Sequence, residues 1–270
     1  MALTRTAPAS APQSPPAPVL RVLSYFLLSW RRVWRGTVFS GFVGPLLFLG
    51  AFGFGLGSLV DGAGDSPLGV PFLQFVAPGV LAATAMQTAV GESTYPVLGA
   101  IKWQRNYHAM LATPLSSDSV AFGHLAFIVV RCTAGATVFL AVAALLGAVP
   151  SWWGVLALPA AALVGLAHAA PIYLLATRVE NDVAFALVFR LVMTPLFLFS
   201  GTFFPISQLP GWLEPLAWFT PLWHGVELAR AATLGNLQLG SSLGHLGFLL
   251  AWCAVFTLLA RQGLRRRMVV

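Results

Sequence analysis

Six apolar stretches, each long enough to cross a bilayer, constrain this chain more than any other feature. They run from Phe39 to Val60, Phe72 to Gly91, Val120 to Ala148, Gly154 to Thr177, Ala184 to Phe204 and Leu243 to Ala260, and a span needs about 20 mostly apolar residues. In hydrocarbon every backbone N–H and C=O must be satisfied within its own segment, so such stretches become helices. The spacing therefore predicts an all-α integral membrane protein with six transmembrane helices. Composition agrees, since 58% of the 270 residues are hydrophobic and only 9% are charged, against about 25% charged in soluble domains. Eight acidic residues cannot clothe a soluble domain of this size, which excludes a water-soluble enzyme, a disordered chain and a fibrous repeat.

The cations orient the spans. Arg5, Arg21, Arg31, Arg32 and Arg35 precede the first; Lys102 and Arg105 lie between the second and third; Arg178 and Arg190 flank the connector between the fourth and fifth; Arg261, Arg265, Arg266 and Arg267 follow the sixth. That places thirteen of the fifteen Lys and Arg residues on one side, while the alternate connectors 61–71, 149–153 and 205–242 carry only Arg230. Lys and Arg accumulate on the cytoplasmic face, so both termini are expected there. The net charge of +7 is a topology signal, and no nucleic-acid partner is expected. Cys132 and Cys253 sit in apolar runs without a CxxC, which suggests neither disulfide nor zinc.

Residues 1–18 are rich in Ala, Pro and Ser and lack an apolar core, so they read as a disordered cytoplasmic tail and not as a signal peptide. From Val19 to about Gly36, apolar residues at helical spacing alternate with Arg21, Arg31, Arg32 and Arg35. This predicts an interfacial amphipathic helix, or a polar lead-in to the first span. Between spans two and three, residues 97–111 form a short amphipathic pattern bounded by Pro96 and Pro114. It reads as a helix on the inner face or as a loop snorkelling at the headgroups. The outer connector from Pro205 to Asn236 is too apolar for a free loop and is broken by Pro205, Pro210, Pro215 and Pro221. It reads as re-entrant helices with Trp212, Trp218 and Trp223 at the interface, or as an aromatic anchor without a mechanistic role.

Catalytic and ion-driving chemistry is sparse. There is no GxxxxGK[ST] loop for nucleotide phosphates, no HExxH and no GxSxG, and all acidic residues fall at span ends or in connectors. Arg131 is the one cation well inside a span. Three readings stay open for it: a place on a conduction path, a bridge to a carboxylate such as Glu92, or a snorkelling side chain in a span that starts later. His168 reads as a substrate contact or a hydrogen-bonded core histidine, and Gly53 with Gly57 forms a GxxxG suited to close helix contact.

The segment FSGTFFPISQLPGWLEPLAWFTPLWHGVELAR, from Phe199 to Arg230, has a Ser-Gly, then Phe-Pro, Leu-Pro and finally Pro-Leu-x-His-x5-Arg. It resembles the pattern around the fifth span of ABC-2 type exporter membrane subunits, falling on Ser200, Gly201, Phe204, Pro205, Leu209, Pro210, Pro221, Leu222, His224 and Arg230. FLQFVAPGVLAATAMQTAVGESTYPV and IKWQRNYHAMLATPLS, between Phe72 and Ser116, are similar to the nodulation-protein J branch, whose members export lipo-oligosaccharides. The resemblance covers nearly the whole chain after the Pro-rich tail. It implies a permease of the bacterial cytoplasmic membrane, working as a homodimer in membrane lipid with two ABC ATPase subunits that carry ATP and Mg, no cofactor being bound by this chain.

The resemblance makes the connector between spans two and three a coupling helix docking on the ATPase, with Lys102, Trp103, Arg105, Asn106 and Tyr107 as its candidate residues. Trp212, Trp218, Pro221, Trp223, His224, Glu227 and Arg230 become outer gate candidates. The implied cargo is amphipathic: a lipo-oligosaccharide, polysaccharide, lipid or drug. Two rival readings are an ion-coupled secondary carrier and an intramembrane transferase acting on lipid-linked substrates through His224 and Glu227.

Overall fold

A computed structural model describes residues 17–62 and 69–268. The expected N-terminal tail lies, up to residue 16, outside the described residues, as does the centre of the first outer connector. Helices make up the described fold: α1 (Pro18–Trp30), α2 (Trp34–Leu49) continuing through a π-helical stretch (Gly50–Leu56) into α3 (Gly57–Gly62), α4 (Phe72–Ser93), α5 (Tyr95–Lys102), α6 (Asn106–Leu111) and α7 (Ser117–Leu145). A 3-10 turn (Trp152–Leu156) leads into α8 (Ala157–Arg178); α9 (Val183–Val188), a π-helical stretch (Phe189–Met193) and α10 (Thr194–Phe199) follow. After a 3-10 turn (Ile206–Gln208) come α11 (Glu214–Trp218), α12 (Pro221–Leu234) and α13 (Leu239–Met268).

Among the described residues four helical segments are long and apolar enough to cross a membrane: Phe72–Lys102, Ser117–Leu145, Trp152–Arg178 and Leu239–Met268. The other two expected spans are helical but irregular. The first, 39–60, lies within 34–62, where the glycines of GAFGFGL weaken α-helix propensity and the backbone relaxes to a π-helix. The fifth, expected from 184 to 204, is the 17-residue Val183–Phe199; it stops early because the chain turns at Ser200 and at Gly201, which takes φ +75°.

Helix α8 is the hub, packing against α4, α7, α12 and α13. Small side chains allow this closeness: a Cβ on Gly165 would stand 2.8 Å from Cys132 Sγ, and one on Gly263 would meet Thr177 and Leu174. In lipid, where burial gives helices little drive to associate, such contact supplies the cohesion. Gly53 of the GxxxG is spent within the chain, its position pressed onto Leu73 of α4.

Local signals set the boundaries. Ser116 caps α7 by accepting from the Ser119 N–H at 3.1 Å, and Thr220 caps α12 from just before Pro221, at the first helical position that needs no donor. Gly235 ends α12 at φ +76°. Helix α1 ends at Trp30 and not near residue 36. It runs along the start of α7, with Val22 on Gly123, Phe26 beside Phe127 and Trp30 beneath Arg131.

The largest departure concerns the connector between α4 and α7. The single helix expected over 97–111 is instead two short helices with a sharp reversal between them. Val97, Leu98, Gly99, Ala100 and Ile101 are all buried, so α5 prolongs α4 as part of the bundle. Arg105 then takes φ +55°, the one positive φ of a non-glycine residue among those described, and α6 turns back towards α7.

Candidate functional site

The elbow from Lys102 to Tyr107 gathers the first set of candidate residues. Trp103 is 63% exposed and Arg105 is exposed beside it, while the Asn106 amide donates to Gln104 Oε1 at 2.9 Å. Gly99 leaves room for the Trp103 ring to fold back over α5. Tyr107, expected on the contact surface with Trp103 and Arg105, is fully buried. Its position one residue into α6 turns it into the space between α7 and α8. There it accepts from the Tyr173 hydroxyl at 3.0 Å and donates to His124 Nδ1. That leaves the proton of a neutral His124 on Nε2, and Phe26 stacks on the imidazole with centroids 4.2 Å apart. Tyr107 thus joins α6 to α7 and α8, and His124 extends the contact to α1.

Lys102 closes a second junction. Its ammonium donates to the Glu180 carbonyl at 2.5 Å and to Glu180 Oε2 at 2.7 Å, and Arg267 pairs with the other carboxylate oxygen. The Arg267 and then the Lys102 hydrogen bonds hold the Glu180 carboxyl down at about 2. Nearby, Arg261 binds Asp118 at 2.6 Å, tying α13 to the start of α7. Sequence reasoning missed His124, Tyr173, Glu180 and Arg267 as partners of the elbow, because each comes from a distant element and no local spacing announces it.

Arg131 meets the carboxylate nominated for it. Its guanidinium lies 3.0 Å from Glu92 Oε1 and 5.4 Å from the Trp30 ring centroid. Glu92 stands twenty residues along α4 from Phe72, about 30 Å at 1.5 Å per residue. Glu92 thus lies towards the elbow end of α4.

At the opposite end Arg230 is the anchor. Buried on α12, it donates to the Gly201 carbonyl at 2.6 Å, to the Phe75 carbonyl at 3.4 Å and to Glu227 at 2.7 Å, and lies over the Phe75 ring at 3.9 Å. The chain leaves at Ser200 and returns at Thr220, whose hydroxyls meet at 3.3 Å. Gly79 of α4 lies against this turn so tightly that a Cβ would be 2.6 Å from the Thr202 carbonyl oxygen. His224 donates from Nε2 to the Trp218 carbonyl at 2.9 Å, so its Nδ1 accepts from His245 Nδ1 at 2.8 Å, and Phe248 stacks on it. Trp223 packs edge-on against both histidines, whereas Trp212 and Trp218 turn outward. His168 is a buried core residue whose Nδ1 bonds the Val164 carbonyl at 2.8 Å.

Residues 19–234 match the family described as ABC-2 type transporter. The chain belongs to the ABC-2 type transporter family. It is 32% identical over 243 residues to nodulation protein J of Rhizobium leguminosarum bv. viciae, covering 90% of this chain and 92% of that protein. With nodulation protein J of Rhizobium meliloti (strain 1021) it shares 31% over 243 residues, 90% of each chain. It is thus a multi-pass membrane protein and an exporter permease of the ABC class, which as a class works with an ABC ATPase. Four of the ten residues on which the ABC-2 resemblance falls, Ser200, Gly201, His224 and Arg230, fasten the turn after α10 to α4, α12 and α13. In this ABC-2 chain those four residues pack at one end of the bundle.

Proposed function

We propose that the chain is the membrane subunit of an ATP-driven exporter that moves an amphipathic substrate outward across the cytoplasmic membrane, with both termini cytoplasmic. Two copies would enclose the path, with the first, second and fifth spans as gating elements and α11–α12 as helices re-entering the outer leaflet. Two ATPase subunits would hold ATP and Mg and supply the force. A lipo-oligosaccharide is the cargo favoured by likeness to the nodulation J proteins, with polysaccharide, lipid or drug as the wider class.

The observation that carries this reading is the elbow. Trp103 and Arg105 project from it, at the end of the bundle where the cations collect, and exposed Trp and Arg are strong interface anchors. Behind them, Tyr107 and Lys102 root the same few residues in α7, α8 and α13. A push on the surface residues would therefore reach the spans directly. Tyr107 serves in this reading as the root of the elbow and not as a contact.

A mild-detergent pull-down of the tagged chain, followed by hydrolysis assays, tests the assembly. Co-purification of a stoichiometric ATPase is expected, and a lone chain that transports in vesicles on an ion gradient overturns the reading. The W103A/R105A double variant tests the elbow. It should insert normally yet export at least about tenfold less per ATP hydrolysed, and unchanged export would remove the elbow from the coupling path.

A further inference from the structure

Where α8 and α13 end together, a cavity of about 190 Å³ is lined by Thr177, Arg178, Leu259, Gln262, Gly263, Arg266 and Arg267. Arg267 shares its charge with Glu180, but among the described residues no carboxylate lies within ion-pair distance of Arg178 or Arg266. Three arginines thus line a small space with one acidic neighbour, a composition complementary to an anion with an apolar body.

The depth and the walls narrow the choice of anion. Thr177 lies twenty residues from Ala157 along α8, about 30 Å, or one hydrocarbon thickness. The cavity therefore lies at the elbow end of the bundle, about one hydrocarbon thickness along α8 from its start. Along α13, Val255, Leu259, Gln262 and Arg266 follow one another at intervals of four, three and four, so they share one helix face. That face is apolar towards the bilayer centre, where Val255 and Leu258 are about half exposed, and turns polar and then cationic at the cavity. A free phosphate would need the cations but not the apolar stripe leading into them.

We propose that this cavity binds an anionic glycerophospholipid, its phosphate held by Arg178, Arg266 and Arg267 and its acyl chains lying along the Val255–Leu259 face of α13. The inference uses only the multi-pass membrane assignment and stands apart from ATPase coupling and cargo. Because Arg267 also holds Glu180, a bound phosphate and the Lys102–Glu180 junction draw on the same guanidinium.

The test is lipid binding by the full chain, measured by native mass spectrometry and by the thermal midpoint in detergent with added lipid. Phosphatidylglycerol should bind at least about tenfold more tightly than phosphatidylcholine and raise the midpoint, and equal binding of the two would overturn the proposal. R178Q/R266Q should lose most of that preference, whereas R31Q/R32Q, which removes the same charge from other exposed arginines, should keep it. Equal losses in both variants would mean a diffuse basic surface and overturn the site. Q262W fills the cavity without changing charge and should also lose the preference; its retention counts against the site even if R178Q/R266Q does not fold. Inorganic phosphate alone should leave the midpoint unmoved, and a shift equal to that from phosphatidylglycerol would replace the lipid by a soluble anion.

Discussion

The two ends of the bundle solve the problem of placing charge in opposite ways. At the Arg230 end the cation is only 10% exposed and is held by the carbonyls of Gly201 and Phe75, groups fixed to the backbone of other elements. At the elbow end the charges meet each other, and the Glu180 carboxylate that joins Lys102 and Arg267 is 65% exposed. A buried cation held by two backbone carbonyls as well as by Glu227 cannot move without leaving those carbonyls orphaned, whereas an exposed ion pair exchanges partners with water at little cost. The Arg230 end is therefore the more firmly held and the elbow end the freer to adjust, the contrast that the proposed push at the elbow calls for.

The sharpest way to break this contrast is to remove the anchor. Arg230→Met keeps volume but strips three hydrogen bonds from Gly201, Phe75 and Glu227. It should destabilise the protein by about 3 kcal/mol, within the range for breaking a buried charged group's partners, read as a drop in the unfolding midpoint in detergent. A loss no larger than that of an ion-pair variant at the elbow end would erase the distinction. Gly79→Ala probes the same end without touching charge. Its Cβ would press on the Thr202 backbone, which cannot swing aside like a side chain, and overpacking of this kind costs about 2–3 kcal/mol. Gly91→Ala, on the same helix with open space around it, should be nearly neutral and serves as the reference.

The same contrast explains what could be read from sequence. The long helices were legible because hydrocarbon demands continuous apolar length, and residues 72–91, 120–148, 154–177 and 243–260 satisfy it. The cations of two connectors and of the two terminal segments were legible as a group, and three of them, Lys102, Arg261 and Arg267, do form ion pairs at one end, with Glu180 and Asp118. The irregular first and fifth segments were drawn as plain spans because hydropathy does not register a π-helix or a helix that ends early at Ser200. Pairings across the fold were mostly hidden: Glu92 could be nominated for Arg131 by chemistry alone, but nothing near Tyr107 points to His124 or Tyr173. The elbow itself was drawn as one helix because amphipathic spacing is the same whether a segment lies on a membrane or extends a bundle.

Tyr107→Phe tests whether the elbow end has a rigid part inside its adaptable surface. The ring stays and the hydroxyl goes, so His124 Nδ1 loses its donor and the Tyr173 hydroxyl its acceptor, both in a buried place. The expected cost is about 1–2 kcal/mol, seen as a lower unfolding midpoint, together with more ATP hydrolysed per substrate exported. A stability loss with unchanged coupling would make Tyr107 a packing residue alone.

The smallest expected effect belongs to Glu180→Gln, and its pH dependence is as informative as its size. With Arg267 and Lys102 depressing the folded carboxyl to about 2, below its ordinary 4.5, the charge contributes stability that is fully present above about pH 4.5 and is lost as pH falls towards 2. Across pH 5–9 the carboxylate stays ionised, so the variant should differ from the parent by a small, constant amount. Because the group is exposed, that difference should sit close to the error of an unfolding midpoint. Export is the finer probe, since Glu180 joins Lys102 at the elbow to Arg267 at the end of α13. Reduced coupling at unchanged stability would mark the junction as part of the moving end, whereas a stability loss approaching that of Arg230→Met would show that the two ends are equally rigid.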